Sequence, residues 1–145
     1  MTTDILIVED DGLTALDLKN ILTKDGYGVP AIVDNAADAL ISVERRRPAL
    51  VMMDIGLRGL PDGVTAADQI RRRFHVPVMF ITGSADRETF GRARISGPFD
   101  YIVKPFSSVD LRPRIELALL MHNEQCRLWG VMPGSRNAFQ RVQDL

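Results

Sequence analysis

The stretch Leu50-Val51-Met52-Met53-Asp54 decides the fold. Four apolar residues end abruptly in a carboxylate, with Pro48 before them and Gly56 after. A short apolar run bounded in this way predicts a strand buried on both faces, as the strands of parallel sheets are. Ligands of open parallel sheets bind beyond the carboxyl ends of the strands. Asp54 sits at such an end. Alone it would read first as a solvated loop acid; the residues that close the other strands decide between the two readings.

Working outward, Asp4-Ile5-Leu6-Ile7-Val8 predicts a first strand that closes at Glu9, Asp10 and Asp11. Leu13, Leu16, Leu18, Ile21 and Leu22 then recur at helical spacing, with Gly26 and Gly28 as the stop. Residues 29–33 predict a short strand whose Pro30 marks an edge position or a late start. Asp34 or Asn35 caps a second helix, with Ala36, Ala39, Leu40 and Val43 inward. Beyond Asp54 a loop rich in Gly and Pro leads into a helix from about residue 64 to 74, with Ala67, Ile70 and Phe74 inward. Residues 76–81 predict a fourth strand closing at Thr82-Gly83-Ser84. A weakly patterned helix is expected over 85–95, stopped by Gly97-Pro98. Residues 101–103 predict a fifth strand closing at Lys104-Pro105. Ser107 with Asp110 gives a capping-box-like start to a last helix running to about Leu128. Pro113 should delay or kink its first turn. From Gly130 the composition loosens into a tail.

The 145 residues suit one domain. A net charge of −1 gives no nucleic-acid footprint. Arg45-Arg46-Arg47 and Arg71-Arg72-Arg73 each end a helix, where cations offset the macrodipole, and are read as solvated faces. The single Cys126 excludes an internal disulfide and fits a reducing compartment. No signal peptide is visible, and no apolar run approaches the ~18 residues of a membrane span. A cytoplasmic location without membrane contact is expected. His75 and His122 lack ligand-spaced partners.

Strand and helix alternate throughout, which implies a parallel sheet with helices on both faces. Right-handed crossovers leave a handful of topologies. In such a sheet the strand ends share one edge, so Glu9, Asp10, Asp54, Thr82 and Lys104 can converge. Three carboxylates alone would raise one another's pKa. A divalent cation relieves them, and hard oxygen ligands with open water positions suit Mg²⁺. Lys104 adds a fixed positive charge, Thr82 a small hydroxyl donor, and Gly83 room beside it. This set can hold a dianionic phosphoryl group, with Asp54 as the nucleophile that forms an acyl phosphate.

The segments Ile5-Leu6-Ile7-Val8-Glu9-Asp10, Met53-Asp54 with Asp62-Gly63, Ile81-Thr82-Gly83 and Tyr101-Ile102-Val103-Lys104-Pro105-Phe106 lie in this order over roughly residues 3–122. Together they resemble the response-regulator receiver domain of bacterial two-component signalling, of the chemotaxis-regulator kind. The resemblance implies a flavodoxin-like, doubly wound α/β fold, a five-stranded parallel sheet in the order 2-1-3-4-5 already known for a member of this family. It implies a receiver domain over residues 1–122, with 123–145 as the end of the last helix and a tail. By the same resemblance Asp54 is the phosphoacceptor, and Glu9 and Asp10 hold Mg²⁺ directly or through water. The backbone carbonyl of Gly56 completes the metal's protein ligands. Lys104 contacts the phosphoryl group, Thr82 moves to hydrogen-bond it, and Tyr101 changes rotamer with it. That couples the site to the surface made by the fourth helix, fifth strand and last helix. The implied donor is a phosphohistidine on a histidine kinase or histidine phosphotransfer protein. A cis Lys104–Pro105 bond is expected as well. Two features depart from the family pattern: the loop from Asp54 to Gly63 is one residue longer than usual, with Pro61 displaced, and Pro113 lies in the last helix.

The function expected is a phosphoryl-accepting switch that catalyses only its own phosphorylation and dephosphorylation, with no output domain after Leu128. Gly56 and Ser84 are small and leave water a path to the acyl phosphate. An aspartyl-phosphate phosphohydrolase would usually carry an acid where Gly56 stands. A flavodoxin-type cofactor binder would want hydroxyls where Glu9-Asp10-Asp11 would repel a flavin phosphate. Leu117, Leu120 and Met121 lie off the Ile115/Ala118/Leu119 stripe of the last helix, with Cys126, Leu128 and Trp129 beyond. A patch of that size suggests a homodimer through this helix, or cover by the chain's own tail.

Overall fold

The computed structural model describes residues 2–83 and 100–136. The apolar runs pair as parallel strands β1 (Ile5–Val8), β2 (Ile32–Val33), β3 (Leu50–Asp54), β4 (Val78–Thr82) and β5 (Asp100–Val103). Their order in the sheet is β2-β1-β3-β4-β5. The described helices are α1 (Gly12–Lys24), α2 (Ala36–Arg45), α3 (Gly63–Phe74) and the C-terminal α4 (Ser108–Trp129). Ser84, the helix expected over 85–95 and the tail beyond 136 lie outside the described residues. No helix among the described residues is long and apolar enough to cross a membrane.

Strand side chains alternate between faces, and here both faces are covered. Leu6, Val8, Val51, Met53 and Phe80 pack with α2 and α3 through Ala39, Val43, Ile70 and Phe74. Ile5, Ile7, Leu50, Met52, Met79 and Ile81 pack with α1 and α4 through Leu18, Leu22, Leu111 and Ile115. The three central strands are therefore buried along their whole length. Strand β2 is shorter than the sequence suggests: it starts only after Pro30 and lies at the edge of the sheet.

Helix starts follow the capping chemistry. Asp11 accepts from the Leu13 N–H at 3.2 Å, Asn35 from Asp38 at 2.8 Å and Asp62 from Thr65 at 2.8 Å. Asn35 is thus the cap of α2, and Asp34 is not. Helix α1 corrects the sequence reading on one point. Ala15, Leu18 and Leu22 are buried, whereas Leu13 and Leu16 point outward at 80% and 52% exposure. Helix α4 begins at Ser108, ahead of Pro113, so the proline does not delay it. Ser107 does not cap the backbone; its hydroxyl donates to the Asp110 carboxylate at 3.0 Å. The Lys104–Pro105 and Leu60–Pro61 bonds are cis.

The segment after α4 is not a loose tail over residues 130–136. Gly130 ends the helix with φ +70°, and the chain turns back toward the ends of α2 and α3. The Gly134 N–H donates to the His75 carbonyl at 3.0 Å, and the Arg47 Nε donates to the Gly134 carbonyl at 3.0 Å. The His122 Nε2 lies 2.7 Å from the same His75 carbonyl. This clasp leaves Leu117, Leu120, Met121, Leu128 and Trp129 exposed. The arginine triplets tie helix ends to their surroundings: Arg46, just after α2, pairs with Asp4 at 2.9 Å, Arg72 pairs with Asp68 within α3 at 3.0 Å, and Arg47 lies over the Phe74 ring at the end of α3.

Candidate functional site

Parallel register carries the strand ends to one edge. Val8 pairs with Met53, Asp54 with Ile81 and Thr82 with Val103. Glu9, Asp54, Thr82 and Lys104 follow from that register. Glu9, Asp54 and Thr82 are buried polar residues in a core that is otherwise apolar, and polar groups are not buried without a reason. The Lys104 Nζ lies 2.8 Å from Glu9 Oε1 and 3.8 Å from Asp54 Oδ2. Lys104 is itself pinned to the neighbouring strand end, since its N–H donates to the Thr82 carbonyl at 2.8 Å. Oxygens of Glu9, Asp10 and Asp54 all fall within 4.8 Å of one another.

Backbone groups fix Asp54. The Gly56 N–H donates to its Oδ1 at 2.9 Å. The start of α3 packs against its carbonyl so closely that a Cβ at Gly63 would lie 3.1 Å from that oxygen. Thr82 donates its hydroxyl to the Gly83 carbonyl at 3.1 Å. Tyr101, half-buried on β5, has the Arg114 guanidinium 5.9 Å from its ring centroid, and Arg114 also donates to the Tyr101 carbonyl at 2.6 Å.

Burial, together with the neighbouring Asp54, pushes the Glu9 carboxyl up to about 7, and Lys104 offsets only part of this. Burial works against the Lys104 ammonium too, but Glu9 and Asp54 outweigh it and hold its pKa above the ordinary lysine value. Glu9 Oε2 is buried and has no hydrogen-bond partner among the described residues. A buried carboxylate oxygen without a donor is costly. An orphaned oxygen inside a three-carboxylate cluster is what a hard divalent cation would satisfy, so the donor set fits Mg²⁺.

The structure therefore brings Glu9, Asp10, Asp54 and Lys104 together, with Thr82 on the adjacent strand end, Gly56 beside Asp54 and Tyr101 on β5. Asp11 is occupied elsewhere as the α1 cap, where the Thr14 hydroxyl and the Leu13 N–H hold its pKa below the usual carboxylate value. Two features escaped sequence reading. Gly63 is a close-approach position, signalled by a glycine at the first turn of a helix, where it is otherwise unfavourable. The second is a groove beside Asp10 that no linear pattern marks.

Residues 5–116 match the family model of the response regulator receiver domain. The transcriptional regulatory protein PdtaR of Mycobacterium tuberculosis is 36% identical over 126 residues, 87% of this chain and 61% of that protein. The transcriptional regulatory protein KdpE of Staphylococcus aureus is 33% identical over 117 residues, 81% of this chain and 50% of that protein. The chain thus spans between half and about three fifths of these relatives. Among solved structures, the signal receiver domain of a modulated diguanylate cyclase from Desulfovibrio desulfuricans is similar with a TM-score of 0.80 at 36% identity, covering 86% of this chain and 99% of that one. The receiver domain of NtrX from Brucella abortus is similar with a TM-score of 0.71 at 35% identity, covering 81% and 98%. A family match that spans the sheet, and likeness to solved receiver domains across nearly their whole length, place this chain in the response regulator receiver family of two-component signalling.

Proposed function

We propose that this chain accepts a phosphoryl group onto Asp54 from a phosphohistidine of a histidine kinase or histidine phosphotransfer protein, and that it acts as a cytoplasmic switch rather than a turnover enzyme. The observation that supports this most is the buried Asp54 carboxylate, 3.8 Å from the Lys104 ammonium and clustered with Glu9 and Asp10. In the transfer an Asp54 oxygen bonds to phosphorus, the nitrogen–phosphorus bond breaks, and the imidazole leaves with the electron pair. The Gly56 N–H holds Oδ1 and so fixes the carboxylate's orientation, an entropic advantage at the moment of attack. Lys104 faces the developing charge on the phosphoryl oxygens. Glu9, Asp10, Asp54 and the Gly56 carbonyl would hold Mg²⁺, which supplies further charge stabilisation when bound.

Thr82 would exchange its bond to the Gly83 carbonyl for one to the phosphoryl group. Tyr101 would follow it inward and give up its contact with Arg114. That passes the change to the surface that includes β5 and α4. Gly56 offers no side chain to screen the acyl phosphate, so it should hydrolyse unaided; Ser84, the other small residue expected there, lies outside the described residues. We take residues 1–122 as the receiver unit and 123–145 as the end of the last helix and an extension. The exposed Leu117, Leu120, Met121, Leu128 and Trp129 support a homodimer through α4.

Incubation with acetyl phosphate and Mg²⁺, read by intact mass, tests the central step. One phosphoryl group is expected on the wild type and none on Asp54→Asn or in chelator. Labelling that survives in Asp54→Asn would overturn the assignment.

A further inference from the structure

Strand β5 lies at the edge of the sheet, with β4 as its neighbour. Lys104 turns its N–H to the Thr82 carbonyl, so by the alternation along a strand the backbone groups of Tyr101 face the open edge. Both are met by charged side chains. The Tyr101 N–H donates to Asp100 Oδ1 at 2.8 Å, and Arg114 donates to the Tyr101 carbonyl at 2.6 Å. The same guanidinium nitrogen lies 3.3 Å from Asp100 Oδ1. Tyr101 packs with the α2/α3 layer, whereas α4 belongs to the opposite layer through Leu111 and Ile115. Arg114 therefore reaches round the edge of the sheet, and its guanidinium carbon stands 5.9 Å from the centre of the Tyr101 ring.

An ion pair as exposed as Arg114–Asp100, at 48% and 35%, adds little to stability. What the arrangement does instead is hold one aromatic ring. A guanidinium within about 6 Å of a ring centre attracts it, and the bonds to the Tyr101 carbonyl and to Asp100 fix where this guanidinium sits. We infer that Arg114 is a positioning residue: it holds the Tyr101 ring at the sheet edge and so sets how readily Asp54 takes a phosphoryl group. The inference rests on phosphoryl acceptance at Asp54 and on the inward turn of Tyr101 that follows it. The bonds to the backbone and to Asp100 do not depend on the ring, so the ring contact is what the turn gives up. Removing that contact raises the population of the inward ring before any phosphoryl group arrives. The change also has a path outward. Arg114, Leu117 and Met121 recur at i, i+3 and i+7 and share a face of α4, on which Leu117 and Met121 are 53% and 63% exposed.

The chain has two tyrosines, Tyr27 and Tyr101, so 3-fluorotyrosine labelling of the full chain gives two fluorine resonances, assigned with Tyr27→Phe. Spectra of wild type and Arg114→Gln are recorded with and without beryllofluoride, a phosphoryl mimic, in Mg²⁺. Acetyl phosphate labelling rates are measured for these two proteins, for Tyr101→Ala and for the double variant. Without the mimic, Arg114→Gln should move the Tyr101 resonance toward the position that wild type takes with beryllofluoride. It should also label about two- to fivefold faster. In the Tyr101→Ala background the same substitution should bring no gain. Loss of a positive charge alone would slow capture of an anion, so a faster rate separates positioning from charge. A resonance that stays, a rate that is unchanged or slower, the same gain without Tyr101, or a wild-type Tyr101 resonance that ignores beryllofluoride would each overturn the inference. Arg114→Lys, which keeps the charge and a donor but loses the planar fork, serves with the same expectation if Arg114→Gln does not fold. Failure of the wild type to label at Asp54 would instead overturn the phosphoacceptor reading beneath it.

Discussion

With divalent cations chelated, raising the pH should destabilise this chain through Glu9. Its carboxyl sits at about 7 against an ordinary value of 4.5, and its side chain is fully buried, so solvent screening removes little. At 1.36 kcal/mol per pH unit the gap is on the order of 3 kcal/mol. The folded state holds this proton more tightly than the unfolded state does. The stability it contributes is therefore fully present below pH 4.5 and is lost as the pH rises through about 7. A bound divalent cation reverses the loss by stabilising the ionised form, so Mg²⁺ should stabilise the fold more in alkali than in acid. Urea unfolding in chelator, at several pH values, for wild type and Glu9→Gln, measures the effect. Burial lowers the His75 and His122 pKa values, which gives stability a slope of the opposite sign. That slope is common to both proteins and cancels in the difference. Relative to Glu9→Gln, the wild type should lose on the order of 3 kcal/mol between about pH 5 and about pH 8. Parallel curves for the two proteins would refute the origin assigned to the shift.

Gly63→Ala would set a Cβ 3.1 Å from the Asp54 carbonyl, and a loss of about 1–2 kcal/mol on thermal unfolding is expected, with slower phosphoryl acceptance. Gly134→Ala places a side chain at φ +79° against Arg47; it should cost about 1 kcal/mol and speed alkylation of the buried Cys126 as the clasp loosens. Sedimentation of the full chain should show a homodimer that Leu120→Glu with Trp129→Ala dissociates. A wild-type monomer would remove the α4 interface and favour cover by the chain's own residues.

The sheet was readable because its three central strands are buried on both faces, so each appears as an unbroken apolar run ending in a polar residue. The site was readable for the same reason: Glu9, Asp54, Thr82 and Lys104 each stand where such a run stops. Geometry that depends on contacts distant in sequence was not. Leu13 and Leu16 match a helical stripe as well as Leu18 and Leu22 do, and the sheet beneath α1 decides which pair is buried. The clasp at 130–136 depends on a carbonyl at His75 and a guanidinium at Arg47, and its Gly and Pro content reads like that of any loop. Asp34 and Asp38 look like ordinary surface acids until β2 and α1 set them around a groove with Asp10.

The most direct measurement is chemical trapping of the acceptor. Borohydride reduces an aspartyl phosphate to homoserine, and peptide mass spectrometry locates it. After treatment with acetyl phosphate and Mg²⁺, homoserine is expected at position 54 and nowhere else. Homoserine at Asp10 or another carboxylate, or phosphate found on a serine, threonine or histidine with residue 54 unchanged, would contradict Asp54 as the phosphoacceptor.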